Sequence, residues 1–498
     1  MKIFSAAQLK EWDLFSIDEQ QISSEALMER AAKACYHWLI NNSIVNQPLL
    51  VFCGKGNNGG DGLALARMLL ENNFSVTTYI LELGHTGTDD FQINLQRLHH
   101  ITTDIHFIQS ADFLPVIKKS DLVIDALFGS GLNRPLDGNA WELVNHINNS
   151  GAQVISIDIP SGLFSDRSSK GFTAIHASHT LSFQNAKLAF LMPENDLYVG
   201  EFHLLDIGLS KNFEETHSSK YESIDLSLIK SLIRPRNKFA HKGSFGHAAL
   251  IAGSYGMMGA AVLAAKACMY SGIGKLTCYI PSCGYEIMQT SLPEAMCNIS
   301  GEKYITATGN LDNHDAIGIG PGIGSQHDTT EVLKNIFLTG KGIMVLDADA
   351  LNMLAADRHL LSLLPKGSVI TPHPKEFERL FGNVANDFER LELAIREAAA
   401  MKIYIVLKGH YSMIVTPRGK VFFNSTGNAG MAKAGMGDAL TGLLTGFLCQ
   451  HYPLPEAAIL AVYIHGYAGD IACEKYSQQA MQASDLLQCI PEAWRSLL

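Results

Sequence analysis

Short apolar runs alternate with stretches of helical periodicity along almost the whole chain. In the first half the strand-like runs lie at 48–53 (PLLVFC), 75–83 (SVTTYILEL), 104–108 (DIHFI), 121–128 (DLVIDALF) and 153–159 (QVISIDI). Helical patterns fall between them at 61–71, 89–100 and 138–148. Strand, helix, strand at this spacing predicts βαβ units, a parallel sheet covered by helices on both faces. A leading stretch at 24–42 places Leu27, Ala31, Cys35 and Leu39 on one helix face, which should pack on that sheet. Residues 210–242 break the rhythm, being polar, charged and poor in strand signals, so the domain boundary is expected near 215–225. The alternation resumes with strands at 247–253, 275–281, 315–320, 342–349, 367–372 and 402–409. Helices are expected at 258–270, 329–337, 375–381, 387–401 and 438–450. The fold class is α/β, with two successive doubly wound domains over 1–215 and 222–498.

Composition bounds what such a chain can do. Of 498 residues, 47% are hydrophobic and 17% charged, enough for real cores and without a disorder signature. Lys+Arg 38 against Asp+Glu 49 gives a net charge of −11, which argues against a duplex nucleic-acid partner. The nine cysteines, from Cys35 to Cys489, form no C-x-x-C pair and read as small hydrophobes. The most apolar window, 248–272, is broken by glycines and Lys266, so no membrane span is expected. The first twenty residues carry acidic side chains and no continuous apolar segment, unlike a signal peptide. A soluble cytoplasmic homo-oligomer is the expectation.

Candidate chemistry sits at strand ends. After the run closing at Cys53 comes Gly54-Lys55-Gly56-Asn57-Asn58-Gly59-Gly60-Asp61-Gly62, opening a helix. Glycines there allow a sharp turn and leave amides open to an anion. Gly54, Gly56 and Gly59 fit G-x-G-x-x-G, with Glu82 placed as a ribose-binding carboxylate would be, a match that a tight turn also satisfies. The paired amides and carboxylate of GNNGGDG suit a ligand with a bound cation. Asp125 to Pro135 (DALFGSGLNRP) and Asp158 to Gly162 (DIPSG) end two further strands, where doubly wound sheets bind ligands. One such aspartate alone would be read as a helix cap.

In the second half, Gly435-Met436-Gly437 can offer consecutive amides at a helix N-terminus to a phosphoryl group in transfer. Asp438, in the first turn, could accept a proton from an attacking hydroxyl. The competing reading is a glycine-rich turn whose aspartate is stabilised by the helix dipole. Lys408-Gly409 in an upstream strand-end loop tips the balance toward nucleotide chemistry. His99, His100 and the methionines at 257, 258, 269 and 288 read as surface and core filling.

GNNGGDG, DALFGSGLNRP and DIPSG, followed by FQNAKLAFLMP and VGEFHLLDIGL, resemble the NAD(P)H-hydrate epimerase domain over about residues 1–210. GSYGMMGA, GPGIG, DADALN, TPHPKEF, LKG and NAGMAKAGMGD resemble the ribokinase-like superfamily over about 225–498, specifically its NAD(P)H-hydrate dehydratase branch. Together they resemble the bifunctional NAD(P)H-hydrate repair enzymes, and imply a Rossmann-like sheet followed by a ribokinase-like sheet. The resemblance implies that Asn57, Asn58, Gly59, Gly60, Asp61, Gly129, Ser130, Gly131, Leu132, Asn133, Arg134, Pro135 and Asp158 surround the hydrated nucleotide (NADHX or NADPHX). It implies potassium at Asn58, Asp125 and Ser161, with Asp158 as the candidate acid/base. In the second half it implies Ala260, Gly322, His373 and Asp438 around the hydrate. Lys408, Gly409, His410, Tyr411, Ser412 and Gly437 would then hold the AMP part of ADP, which enters with Mg²⁺. The family's K-G-x-x-T ends here in Ser412, a conservative hydroxyl change. The implied activity is epimerisation of the hydrates and ADP-dependent dehydration of the S epimer. Alternatives are an ATP-dependent sugar or vitamin kinase, a non-catalytic N-terminal ligand-binding module, and, last, an NAD-dependent dehydrogenase.

Overall fold

Every residue of Leu49–Cys53 (β1) is buried, and its side chains part by turns between two cores. Leu49, Val51 and Cys53 join Cys35, Leu39, Leu65 and Ala66 on one face, while Leu50 and Phe52 join Leu143, Val144 and Ile147 on the other. A strand apolar on both faces needs a helical layer over each, the condition for a parallel sheet. The structure, a computed structural model, describes residues 1–45 and 47–498. It divides into two units, one of residues 2–219 with 386–388, the other of 220–385 and 389–498 with Met1.

In the first unit β1 is joined by Val76–Leu81 (β2), Ile105–Ile108 (β3), Leu122–Ala126 (β4), Gln153–Ile157 (β5), His179–Phe183 (β6) and Glu201–Leu205 (β7). All pairings are parallel, in the order β3-β2-β1-β4-β5-β6-β7. The chain leaves β1 toward one edge and returns to β4 on the other side. The carboxyl ends of β1 and β4 therefore flank a crevice, the switch point at which such sheets bind ligands.

The helix after β1 runs Asn57–Glu71, four residues earlier than its apolar periodicity suggests. Gly59 and Gly60 of the motif lie inside its first turn, where the absent side chain is a packing requirement. A Cβ on Gly59 would stand 1.8 Å from the Gly54 carbonyl oxygen, and one on Gly60 2.7 Å from Met28 Sδ. The helix Ser24–Asn41 buries Leu27, Ala31, Cys35 and Leu39, as its pattern requires. The sequence pattern did not show β6, β7 or the helix Ala6–Gln20, whose buried residues are only Leu9, Trp12 and Ser16.

The second unit has Tyr221–Ser223 (β8), His247–Ile251 (β9), Lys275–Ile280 (β10), Met296–Ile299 (β11), Ala316–Ile319 (β12), Ile343–Leu346 (β13), Val369–Ile370 (β14), Tyr404–Leu407 (β15), Met413–Val415 (β16) and Val421–Phe423 (β17). They pair as β8-β17-β16-β15-β14-β13-β12-β9-β10-β11. The β15-β16-β17 meander is antiparallel and the other pairings are parallel. Thus even the linker-like 210–242 contributes a strand. The helices Met258–Tyr270 and Met436–Cys449 meet through small residues: a Cβ on Gly442 would lie 2.0 Å from the Ala264 carbonyl oxygen. Among the described residues no helix is long and apolar enough to cross a membrane. Cys35, Cys53, Cys268, Cys278, Cys449 and Cys489 are free and buried.

The Gly442 contact has a measurable consequence. Gly442→Ala should separate the two helices and destabilise the second unit by about 1–3 kcal/mol through overpacking. Urea unfolding followed in parent and variant checks this, and an unchanged midpoint would mean the helices part freely.

Candidate active sites at the carboxyl ends of the sheets

In the first unit a cavity of ≈ 640 Å³ lies over the ends of β1, β4 and β5. Of the residues singled out in the sequence, Asn57, Asn58, Asp61, Gly129, Ser130, Gly131, Leu132, Asn133, Arg134 and Asp158 line it. Gly59, Gly60, Asp125, Pro135 and Ser161 are not on its wall. Gly60 spends its amide on the Gly56 carbonyl, 3.1 Å away, as part of the helix.

Asp158 stands in the left-handed region (φ 66°), a conformation that costs free energy for a residue with a Cβ and clusters at functional sites. Its carboxylate is ion-paired with Lys187, whose side chain is only 1% exposed, and accepts the Ser130 amide at 3.3 Å. Lys187 also donates to Ser182 Oγ at 2.7 Å. Glu82 is paired with Lys55 and accepts the Gly84 amide, and the Lys55 hydrogen bond lowers its pKa.

Asp125 lies beneath this floor, fully buried. Its oxygens accept from Ser161 Oγ (2.6 Å), Ser156 Oγ (2.7 Å), the Ser161 amide (2.9 Å) and the Leu127 amide (3.2 Å). Burial still raises its pKa against those four donors. Beside the Gly129 backbone, Asn58 is buried with neither its amide nitrogen nor its oxygen partnered among the described residues. The unpaired Asn58 amide oxygen, with the Asp125 carboxylate and the Ser161 hydroxyl at neighbouring strand ends, offers the hard oxygen donors that a monovalent cation takes.

Two more carboxyls face the cavity. Burial, then the charges of Asp158, Asp13 and Asp90, push Asp61 well above the usual carboxylate range. Burial and the charge of Asp158 raise Asp13, opposed by Lys187, to about 7.

In the second unit the loops after β12, β13 and β15 converge on the start of the helix Met436–Cys449. Gly435 occupies the cap at φ 91°, and the first intrahelical bond is Ala439 N–H to the Gly435 carbonyl at 3.1 Å. The amides of Met436, Gly437 and Asp438 therefore have no intrahelical acceptor. Asp347 Oδ1 accepts Lys408 Nζ at 2.7 Å and Oδ2 accepts Thr441 Oγ1 at 2.9 Å. Gly437 lies against both groups: a Cβ there would be 3.3 Å from Asp347 Oδ2 and 3.4 Å from Lys408 Nζ. Burial, then the charges of Asp347 and Asp349, raise Asp438 to about 6, with Lys408 opposing.

The other predicted residues fall around this centre. Gly322 and Ala260 touch, a Cβ on the former lying 3.2 Å from the latter's. His373 caps the helix Pro374–Phe381, its Nδ1 accepting the amides of Lys375 (3.1 Å) and Glu376 (3.2 Å). Glu376 accepts the His373 amide at 2.8 Å and lies 3.7 Å from Lys408 Nζ. Ser412 Oγ closes the turn of its loop, donating to the Gly409 carbonyl at 3.0 Å, while the rings of His410 and Tyr411 meet edge to face at 4.4 Å.

Sequence reasoning did not single out Asp13, Lys187, Asp347 and Thr441, which the structure brings to these two centres. The only signal for Lys187 was one charge inside the apolar NAKLAFLMP, and for Asp13 there was none. It also missed Asp470, which anchors the loop before Asp438 by accepting the Gly427 amide and Asn428 Nδ2, each at 2.9 Å.

Residues 248–492 match the family model described as NAD(P)H-hydrate dehydratase, and 24–189 the one described as YjeF-related protein N-terminus. The chain is 33% identical to the bifunctional NAD(P)H-hydrate repair enzyme Nnr of Moorella thermoacetica, over 100% of this chain and 97% of that one. Its identity to the Coxiella burnetii protein of the same description is 32%, over 97% of each. A crystal structure of a ribokinase-like superfamily protein from Enterococcus faecalis superposes with a TM-score of 0.50 at 26% identity, covering 56% of this chain and 98% of that one. With both families matched in order and relatives aligned end to end, the chain belongs to the bifunctional NAD(P)H-hydrate repair enzymes.

Proposed function

We propose that the protein repairs hydrated nicotinamide nucleotides with two active sites on one chain. The first domain, 1–215, interconverts R- and S-NAD(P)HX; the second, 222–498, dehydrates S-NAD(P)HX to NAD(P)H with ADP, giving AMP and phosphate. The observation that carries this reading is that both sites are chemically complete: an ion-paired carboxylate in the first cavity, and a carboxyl over free helix amides in the second. Relatives aligned over the full length favour it over a small-molecule kinase with a non-catalytic N-terminal module.

In the dehydratase site Asp438 accepts the proton of the ring hydroxyl as that oxygen attacks the terminal phosphoryl group of ADP. The amides of Met436, Gly437 and Asp438 hold the phosphoryl oxygens, and Lys408, fixed by Asp347, offsets their charge. Phosphate then leaves the ester with the carbon–oxygen bonding pair and takes up the proton lost by the adjacent ring carbon, restoring the dihydronicotinamide. Ala260, Gly322 and His373 bind the hydrate, and Gly409, His410, Tyr411 and Ser412 the AMP part. Mg²⁺ accompanies ADP and neutralises part of its charge.

In the epimerase site Asp158 takes the proton of the hydroxyl at the carbinolamine carbon. Asn57, Asn58, Asp61 and the Gly129–Pro135 loop bind the nucleotide. Potassium would be held by Asn58, Asp125 and Ser161, supplying a fixed positive charge beside the substrate.

Asp438→Asn should lower dehydration of the S epimer roughly 10²–10⁴-fold while ADP binding and epimerisation persist. Asp438 accepts a proton only when ionised, so the parent rate should fall about tenfold per pH unit below about 6 and level off above it. Dehydration by the variant at the parent rate would leave Asp438 a helix cap only.

Replacing potassium with choline at equal ionic strength should slow consumption of the R epimer and leave that of the S epimer unchanged. Asp125→Ala should do the same, with circular dichroism melting as the control for folding of its buried network. Undiminished epimerisation in both would remove the cation from the site.

A further inference from the structure

The epimerase cavity holds more carboxyls than its one partnered base uses. Asp158 is committed to Lys187 and the Ser130 amide. Asp13, from the helix Ala6–Gln20, lines the same cavity, and its carboxyl has no hydrogen-bond partner among the described residues. Its neighbours on that helix are otherwise engaged: Trp12 donates Nε1–H to the Ser210 carbonyl at 2.7 Å, and Ser16 donates to the Trp12 carbonyl at 2.7 Å. The helix is thus pinned on its buried face, and Asp13 is held half-buried at the cavity wall. Asp61 also lacks a partner among the described residues, but it sits just past the first turn of its helix with only 9% of its surface exposed.

Inverting a carbinolamine carbon needs a proton acceptor and a proton donor at once. One acts at the hydroxyl and the other at the ring nitrogen. We propose that Asp13 is the proton donor to the ring nitrogen, working opposite Asp158, so that the two carboxyls act as a catalytic pair. This deepens the epimerase reading above and rests on it.

As Asp158 takes the hydroxyl proton, the oxygen forms a carbonyl and the ring carbon–nitrogen bond breaks. Its electron pair goes to the nitrogen, which takes the proton of Asp13. Rotation about the adjoining carbon–carbon bond turns the aldehyde, and the nitrogen adds to its other face. The nitrogen proton returns to Asp13, and the new alkoxide takes the proton held by Asp158. The substrate is isomerised, both carboxyls are restored, and no co-reactant is consumed.

The electrostatics favour this division of labour. Burial and the Asp158 charge raise Asp13 to about 7, so near neutral pH it can both give and retake a proton. Asp61, pushed well above the usual carboxylate range by burial and three neighbouring charges, suits a hydrogen-bond donor to substrate.

The test uses the full chain with mixed NADHX epimers and excess ADP and Mg²⁺, followed by NADH absorbance. The S epimer reports dehydration directly, and the R epimer, corrected for its uncatalysed interconversion, reports epimerisation. Asp13→Asn should slow R consumption roughly 10²–10⁴-fold through kcat, with KM for the R epimer and S consumption unchanged. Asp13→Glu should recover part of the loss, because the proton is restored at a displaced position. Asp13→Asn consuming R within about threefold of the parent rate would overturn the assignment alone. An equal loss in Asp13→Glu and Asp13→Asn with a raised KM would also overturn it, since a wall residue explains that pattern. A parent chain that consumes only the S epimer would overturn the epimerase reading and this inference with it.

Discussion

At the carboxyl end of each sheet a lysine ammonium is paired with an aspartate: a buried Lys187 with Asp158, and a partly buried Lys408 with the buried Asp347. Taking such charges out of water is costly, and removing one partner of a buried pair typically costs about 3–5 kcal/mol. Each pair therefore fixes its surroundings. Lys187 must lie at the end of β6 within reach of Ser182, and Lys408 at the end of β15 within reach of Glu376. Each pair is also flanked by a carboxyl with no cation of its own, Asp13 in one unit and Asp438 in the other. Both are raised toward neutrality by burial and by the paired aspartate's charge. One arrangement thus supplies a fixed charge and, beside it, a group able to exchange a proton near pH 7.

Close backbone approach is the second constraint. Gly59 and Gly60 let the helix after β1 settle against the Gly54 turn and Met28, which brings Asn58 and Asp61 to the crevice. Gly442 lets two helices of the second unit meet at backbone distance, and those helices carry Ala260 and Asp438. These glycines act by lacking a side chain, whereas Gly322 at φ 63° and Gly435 at φ 91° are also required for their dihedrals. Backbone strain appears at both sites on residues that do have a Cβ: Asp158 at φ 66° and Ala348 at φ 48°, the latter between Asp347 and Asp349. Residues held this way persist where the surrounding packing over-determines them.

The order of apolar runs was enough to determine two α/β sheets and most of their strands, because a strand buried on both faces must be apolar throughout. The same order placed the motif loops at strand ends, and so at the crevices, since helices of this fold return the chain to the sheet's other end. Short strands such as β8, β16 and β17 escaped it, having too few residues to show a period. Asp158 and Asp438 were legible because each follows or opens a glycine-containing turn. What only the tertiary structure decided is which groups share a cavity. Asp13 and Asp158 are far apart in the chain, as are Asp347 and Lys408, and a lone charge in a helix looks the same whether it meets water or a buried ion pair. Proton affinity is set by that environment, by burial and by the nearest charges, and neither quantity exists until the chain has folded.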